Sequence, residues 1–109
     1  METEYAVGGF SVKREGSRFY VFCGENKLDS FKDFKSAGQL VSDLHLSKKA
    51  SDDEMIGVKA FCPSAFENGS EVIVVAKIDK GYIVQAVGTA ERMTVAEEYL
   101  SDVPDLFQE

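Results

Sequence analysis

The stretch 71–87, EVIVVAKIDKGYIVQAV, decides the fold class. Val72 to Ile78 and Tyr82 to Val87 are almost continuously apolar, and Asp79-Lys80-Gly81 between them suits a type I turn closed by glycine in the left-handed region. Two such runs separated by so short a break predict an antiparallel hairpin. Pairing Ile78 with Tyr82 places Val72, Val74, Ala76 and Ile78 on one face with Tyr82, Val84 and Ala86, which is where the main core is expected. The opposite face carries Ile73, Val75, Ile83, Gln85 and Val87. A contiguous apolar patch is seldom left in water, so this face is covered by another part of the chain or, as a symmetric dimer face, by a second copy.

Upstream, Tyr5 to Lys13 and Arg18 to Cys23 form a second hairpin around Arg14-Glu15-Gly16-Ser17. A two-residue turn at Glu15-Gly16 would put Phe10 and Val12 on one face with Phe19, Val21 and Cys23, but a type I′ turn asks Glu15 for an awkward backbone, so the register stays open. Gly8-Gly9 inside the first run suggests a bulge or a close backbone approach, and Lys27 to Phe31 a third strand. A first helix is expected from a capping box at Ser36 and Gln39, with Ala37, Leu40, Val41 and Leu44 as its apolar stripe and Lys48 and Lys49 at its negative end. A second helix is expected from the box at Thr94 and Glu97, burying Val95, Ala96, Tyr99, Leu100 and Val103 and stopped by Pro104. In residues 51–69 a capping box at Ser51 conflicts with the two-residue alternation of Ile56, Val58, Ala60 and Cys62, and the balance falls to a strand.

The predicted architecture is therefore α+β: an antiparallel sheet built from two hairpins in ββα-x-ββα order, with two helices packed on it. At 109 residues the chain suits a single globular domain over 1–109, with 104–109 as a short acidic tail. No apolar run approaches the roughly 20 residues of a membrane span, and Met1 to Tyr5 lack the basic start of a secretory signal, so a cytoplasmic protein without membrane contact is expected. Cys23 and Cys62 then stay reduced as small core residues. With His45 the single histidine, zinc ligation and a Cys–His nucleophile pair have little to build on, and no cofactor is expected.

Charge is lopsided. Residues 1–50 carry a net +1 and residues 51–109 a net −8 within the total of −7. On the expected second helix Glu98 and Asp102 stand one turn apart, with Glu91, Glu97, Asp105 and Glu109 close by, giving a surface of one sign that attracts a basic protein and imitates nucleic-acid phosphates. The expected function is a non-catalytic protein-binding regulator or inhibitor that contacts its partner through this acidic C-terminal surface. The alternatives are a small enzyme or ligand-binding domain with a pocket between helix and sheet, and a nucleic-acid module.

For the last, Lys13, Arg14 and Arg18 sit at the first hairpin tip, with Lys27, Lys32 and Lys35 nearby and Phe19, Tyr20 and Phe22 interleaved. The stretch from Arg18 to Leu44, RFYVFCGENKLDSFKDFKSAGQLVSDL, loosely resembles the strand-turn-strand-helix pattern of the N-terminal arm-binding domains of phage-type integrases, over about a quarter of the chain. That resemblance implies a phage or mobile-element origin. The net charge of −7 opposes phosphate binding and ranks nucleic acid last among the partners.

Overall fold

The computed structural model describes residues 2–61, 71–89, 91–97 and 101–102. The chain begins with a four-stranded antiparallel meander of β1 (Glu2–Val7), β2 (Phe10–Glu15), β3 (Arg18–Cys23) and β4 (Asn26–Phe31), in sheet order β1-β2-β3-β4. Gly8-Gly9 is a turn rather than a bulge, because both glycines take positive φ (58° and 87°) and β1 folds straight back on β2. The hairpin turns at Gly16-Ser17 rather than Glu15-Gly16, since Glu15 pairs with Arg18, a register shifted by two residues that leaves the faces unchanged. Phe10 pairs with Cys23 and Val12 with Val21 on the inner face, and Leu28 and Phe31 extend it on β4.

Helix α1 (Phe34–Ser51) starts two residues before Ser36. Its cap is Asp33, whose carboxylate accepts from the Ser36 amide (3.1 Å) and hydroxyl (3.2 Å), so the capping-box reading misplaced the cap by three residues. The stripe is as expected: Ala37, Leu40, Val41 and Leu44 are buried. The helix ends at Asp52, which turns left-handed (φ 35°).

A second antiparallel sheet follows, made of β5 (Lys59–Phe61), β6 (Glu71–Ile78), β7 (Gly81–Ala86), β8 (Arg92–Ala96) and the two-residue β9 (Ser101–Asp102), in order β8-β7-β6-β5-β9. The β6–β7 hairpin is present, but Asp79-Lys80 alone make its turn, and a bulge between Val74 and Ala76 shifts the pairing so that Val72 meets Ala86 and Val74 meets Val84. These two pairs lie two residues from the expected register. That even slip keeps Val72 and Val74 on the face of Val84 and Ala86. Beyond the bulge the slip is one residue: Ala76 pairs with Ile83 and Ile78 with Gly81, so both leave the expected face, and Lys77 takes their place over the Tyr82 ring (4.6 Å). Gly81 is not in the left-handed region expected of it but pairs with Ile78 and Ala96 as the first residue of β7, where any Cβ would collide with the Val95 carbonyl oxygen.

Three expectations are corrected. Two sheets form instead of one. Where a second helix was expected at Thr94, residues 92–96 pair with β7 as β8, with Val95 opposite Tyr82 and Met93 opposite Val84. The local Thr94–Glu97 capping signal loses to the open edge of β7, whose backbone groups need partners; the rest of that expected helix, 98–100 and 103, and the tail lie outside the described residues. Third, the larger core is not on the Val72/Val74 face. It joins Phe10, Val12, Val21, Leu28 and Phe31 to the α1 stripe, Ile56, Ile73 and Val75, while Ala60, Val72, Val74, Tyr82, Val84 and Val95 form a smaller cluster. In residues 51–61, a turn precedes the short strand β5, and 62–70, with Cys62, lie outside the described residues.

Polar groups complete the junction between the sheets. The buried Asp29 carboxylate accepts from the Gly88 amide through both oxygens (3.0 and 2.9 Å) and from the Ser30 amide (2.7 Å). Arg92 on β8 bonds Asp43 of α1 (2.8 Å) and the buried Gln85 side chain (2.7 Å). Among the described residues, no helix is long and apolar enough to cross a membrane.

Candidate functional site

The first turn of α1 reaches past the cover of the inner face. Phe34, the first helical residue, meets Tyr5 of β1 edge-on (ring centroids 6.4 Å apart, 78°) and Phe19 of β3 (5.8 Å, 68°), and the Arg14 guanidinium lies 5.7 Å from the centre of the Phe19 ring. Tyr5 is 36% and Phe34 43% exposed, so two of the three exposed large hydrophobic side chains among the described residues touch each other here. Below them is a recess of about 310 Å³ lined by Tyr5, Phe34, Lys35, Gly38, Gln39 and Ser42. Gly38 is its floor: a Cβ there would stand 3.8 Å from the Phe34 ring and fill part of the space.

Strand β1 forms the wall. Among the described residues it pairs only with β2, and Glu2 through Ala6 are exposed along it. The register shifts between Thr3 and Tyr5, leaving Glu4 as the bulged residue, and Glu2 and Glu4 border a second recess with Arg14 and Glu15. An edge strand with free backbone groups on one side is a template for another strand; acidic side chains and a bulge restrict which strand is accepted.

The basic and aromatic residues of the first hairpins divide between two faces. Lys13, Arg18, Tyr20, Phe22 and Lys27 come together on the face turned away from α1, while Arg14 and Phe19 lie on the α1 side. Lys13 sits 4.7 Å over the Phe22 ring and Lys27 5.2 Å over Tyr20. Arg18 donates to the Ser30 hydroxyl (2.9 Å).

Farther along, a groove of about 690 Å³ lies where the Gly8-Gly9 turn and the turn after β3 meet the loop after α1, lined by Phe10, Cys23, Leu28, Lys48, Ile56 and Gly57 among others. Burial raises the Cys23 thiol above its ordinary pKa, with Lys48 acting in the opposite direction, so at neutral pH it stays a thiol and a poor nucleophile. Lys48 is itself engaged with the Asp53 carbonyl oxygen (2.9 Å). His45 is half-buried behind Gly8, whose Cβ position its ring occupies, an ordinary packing role.

Of the residues expected to form the acidic surface, Glu91, Glu97 and Asp102 lie among the described residues and share no α-helix. Glu91 is exposed in the turn before β8; Glu97 is exposed just after it and binds Lys77 (3.0 Å), which raises the pKa of that lysine. Asp102 falls on β9, and Glu98, Asp105 and Glu109 lie outside the described residues. The face raised as a dimer surface is covered by the chain itself. Ile73 and Val75 are buried in the larger core under α1, Ile83 and Val87 pack against it, and Gln85 is buried and bonded to Arg92 and to the Thr89 carbonyl (3.2 Å).

Tyr5, Phe34 and Gly38 were not singled out by the sequence reading. A signal existed: Phe34 precedes Ala37 by three positions and so continues the apolar stripe, yet it falls in the first turn, where a helix projects beyond the sheet it covers. No family model matches the chain, and neither a curated protein nor a solved structure matches it.

Proposed function

We propose that the chain is a non-catalytic protein-binding module, a regulator or inhibitor that captures a basic protein through the β1 edge and the recess beside it. The supporting observation is the contact pair of Tyr5 and Phe34, 36% and 43% exposed, next to a strand that among the described residues is paired on one side only. Exposed aromatics over a small recess are the usual anchors of protein interfaces, where a few side chains carry most of the binding energy. Backbone pairing along β1 supplies affinity, and the Gly38 recess takes one apolar side chain of the incoming strand.

Charge selects the partner. Glu2 and Glu4 line the edge, and the total of −7, concentrated after residue 50, steers a basic protein toward the molecule. In this reading Glu91, Glu97, Glu98, Asp102, Asp105 and Glu109 act at long range and need not form one patch.

Selection of short random peptides displayed against the folded protein tests the reading. Enriched sequences are expected to alternate Lys or Arg with apolar residues at period two, as strand pairing requires. Their binding is expected to fall at least about tenfold in a Tyr5→Ser/Phe34→Ser double variant, as anchor residues dictate. Enrichment that ignores both substitutions would remove the β1 edge from the account.

A further inference from the structure

We infer that the outer face of the first sheet is a binding platform for single-stranded nucleic acid, with Tyr20 and Phe22 as stacking surfaces and Lys13, Arg18 and Lys27 as phosphate contacts. The inference is independent of the protein-binding reading, which uses the α1 side of the same sheet.

The face is built by the two-residue period of β3. Val21 is buried, and Phe19 and Cys23 pack on the larger core, so Tyr20 and Phe22 point the other way, belong to neither buried cluster and stay half-exposed. They stand about 6.6–6.8 Å apart along the strand. Both lie on an inner strand of a four-stranded sheet, with β2 on one side and β4 on the other.

Cations sit on those neighbours. Lys13 pairs across from Tyr20 yet leans over the Phe22 ring, and Lys27 pairs across from Phe22 yet leans over Tyr20. Each ring thus has an ammonium group within 4.7 or 5.2 Å of its centre. A base that stacks on the ring displaces the ammonium sideways, toward the phosphate that the same nucleotide brings. Arg18, held by Ser30, is the third cation; Glu15, across from it, is the acidic neighbour on this strand pair. Stacking on any base, combined with a few backbone contacts, is the physics of sequence-tolerant single-strand binding. A duplex keeps its bases stacked on each other and offers these rings nothing.

Three phosphate contacts on a protein of charge −7 make the complex weak and salt-sensitive. Fluorescence anisotropy with a labelled oligothymidine is the test. Binding is expected at low salt, with log K falling against log salt at a slope near −2, about 0.7 per cation for a single strand. Tyr20→Ala and Phe22→Ala should each weaken it by about 5- to 150-fold, the range for loss of one stacked base. Lys27→Gln, at an exposed side chain that the fold does not need, should lower the slope by nearly one contact. Absence of binding at low salt, equal binding of a duplex of the same length, or aromatic variants that remain folded by circular dichroism and bind unchanged would each overturn the inference.

Discussion

Asp29 shows how one side chain can hold two sheets in register. Its carboxylate caps the Gly88 and Ser30 amides at the sheet junction, and truncation leaves two donors without a partner. Asp29→Ala is therefore expected to lower stability by about 1–3 kcal/mol in urea unfolding, and Asp29→Asn, which keeps an acceptor oxygen, by less. Burial raises the Asp29 pKa more than the two amides, Lys59 and Arg18 lower it. A raised value in the fold means that this carboxyl favours folding fully below the ordinary carboxyl range and loses that contribution as pH rises through the folded value. Unfolding curves across the acid range should accordingly show the native chain losing stability relative to Asp29→Asn as pH increases; a gap constant with pH would contradict the assignment. None of this was legible in the sequence, because the partner of Asp29 lies 59 residues away and a lone aspartate in a strand gives no local signal.

Helix α1 was read correctly along its stripe because Ala37, Leu40, Val41 and Leu44 repeat at the helical period whatever surrounds them. Leu40 and Leu44 are fully buried, and Leu44→Ala is expected to cost about 2–5 kcal/mol, read from the shift in the denaturation midpoint. The misreading of 94–97 has the opposite cause: a capping box is four residues of local chemistry, whereas β8 is decided by an unpaired edge elsewhere in the fold. Val95→Pro separates the two. At the first position of a helix proline is tolerated. In β8 the bonds from the Ala86 amide to the Glu91 carbonyl and from the Glu97 amide to the Lys80 carbonyl, with the alternation of antiparallel ladders, make Tyr82 and Val95 a hydrogen-bonded pair. Proline there removes a ladder bond and a buried side chain, a loss of about 2 kcal/mol or more by thermal or urea unfolding; an unchanged midpoint would argue for the helix.

For the molecule as a whole, the α+β class and both hairpins could be read from the apolar runs and their glycine breaks. The division into two sheets, with α1 covering Ile73 and Val75, could not, since either face of the second hairpin was apolar enough to be the inner one. The candidate site was hidden for a related reason. It arises where β1 and the first turn of α1 extend beyond the core, and no residue type marks such an overhang. The acidic excess was visible at once, and its effect belongs to this scale: association with a basic partner should slow several-fold as ionic strength rises toward physiological values, while dissociation changes little, as steering by net charge requires. The most direct measurement is amide hydrogen exchange of the chain, alone and with a selected basic peptide bound. Strand addition predicts new protection at outward-facing amides of Glu2–Val7 and around Phe34, with the edge of β8 unchanged; protection confined to β8 or to the Glu91 turn, with β1 still exchanging freely, would contradict the account.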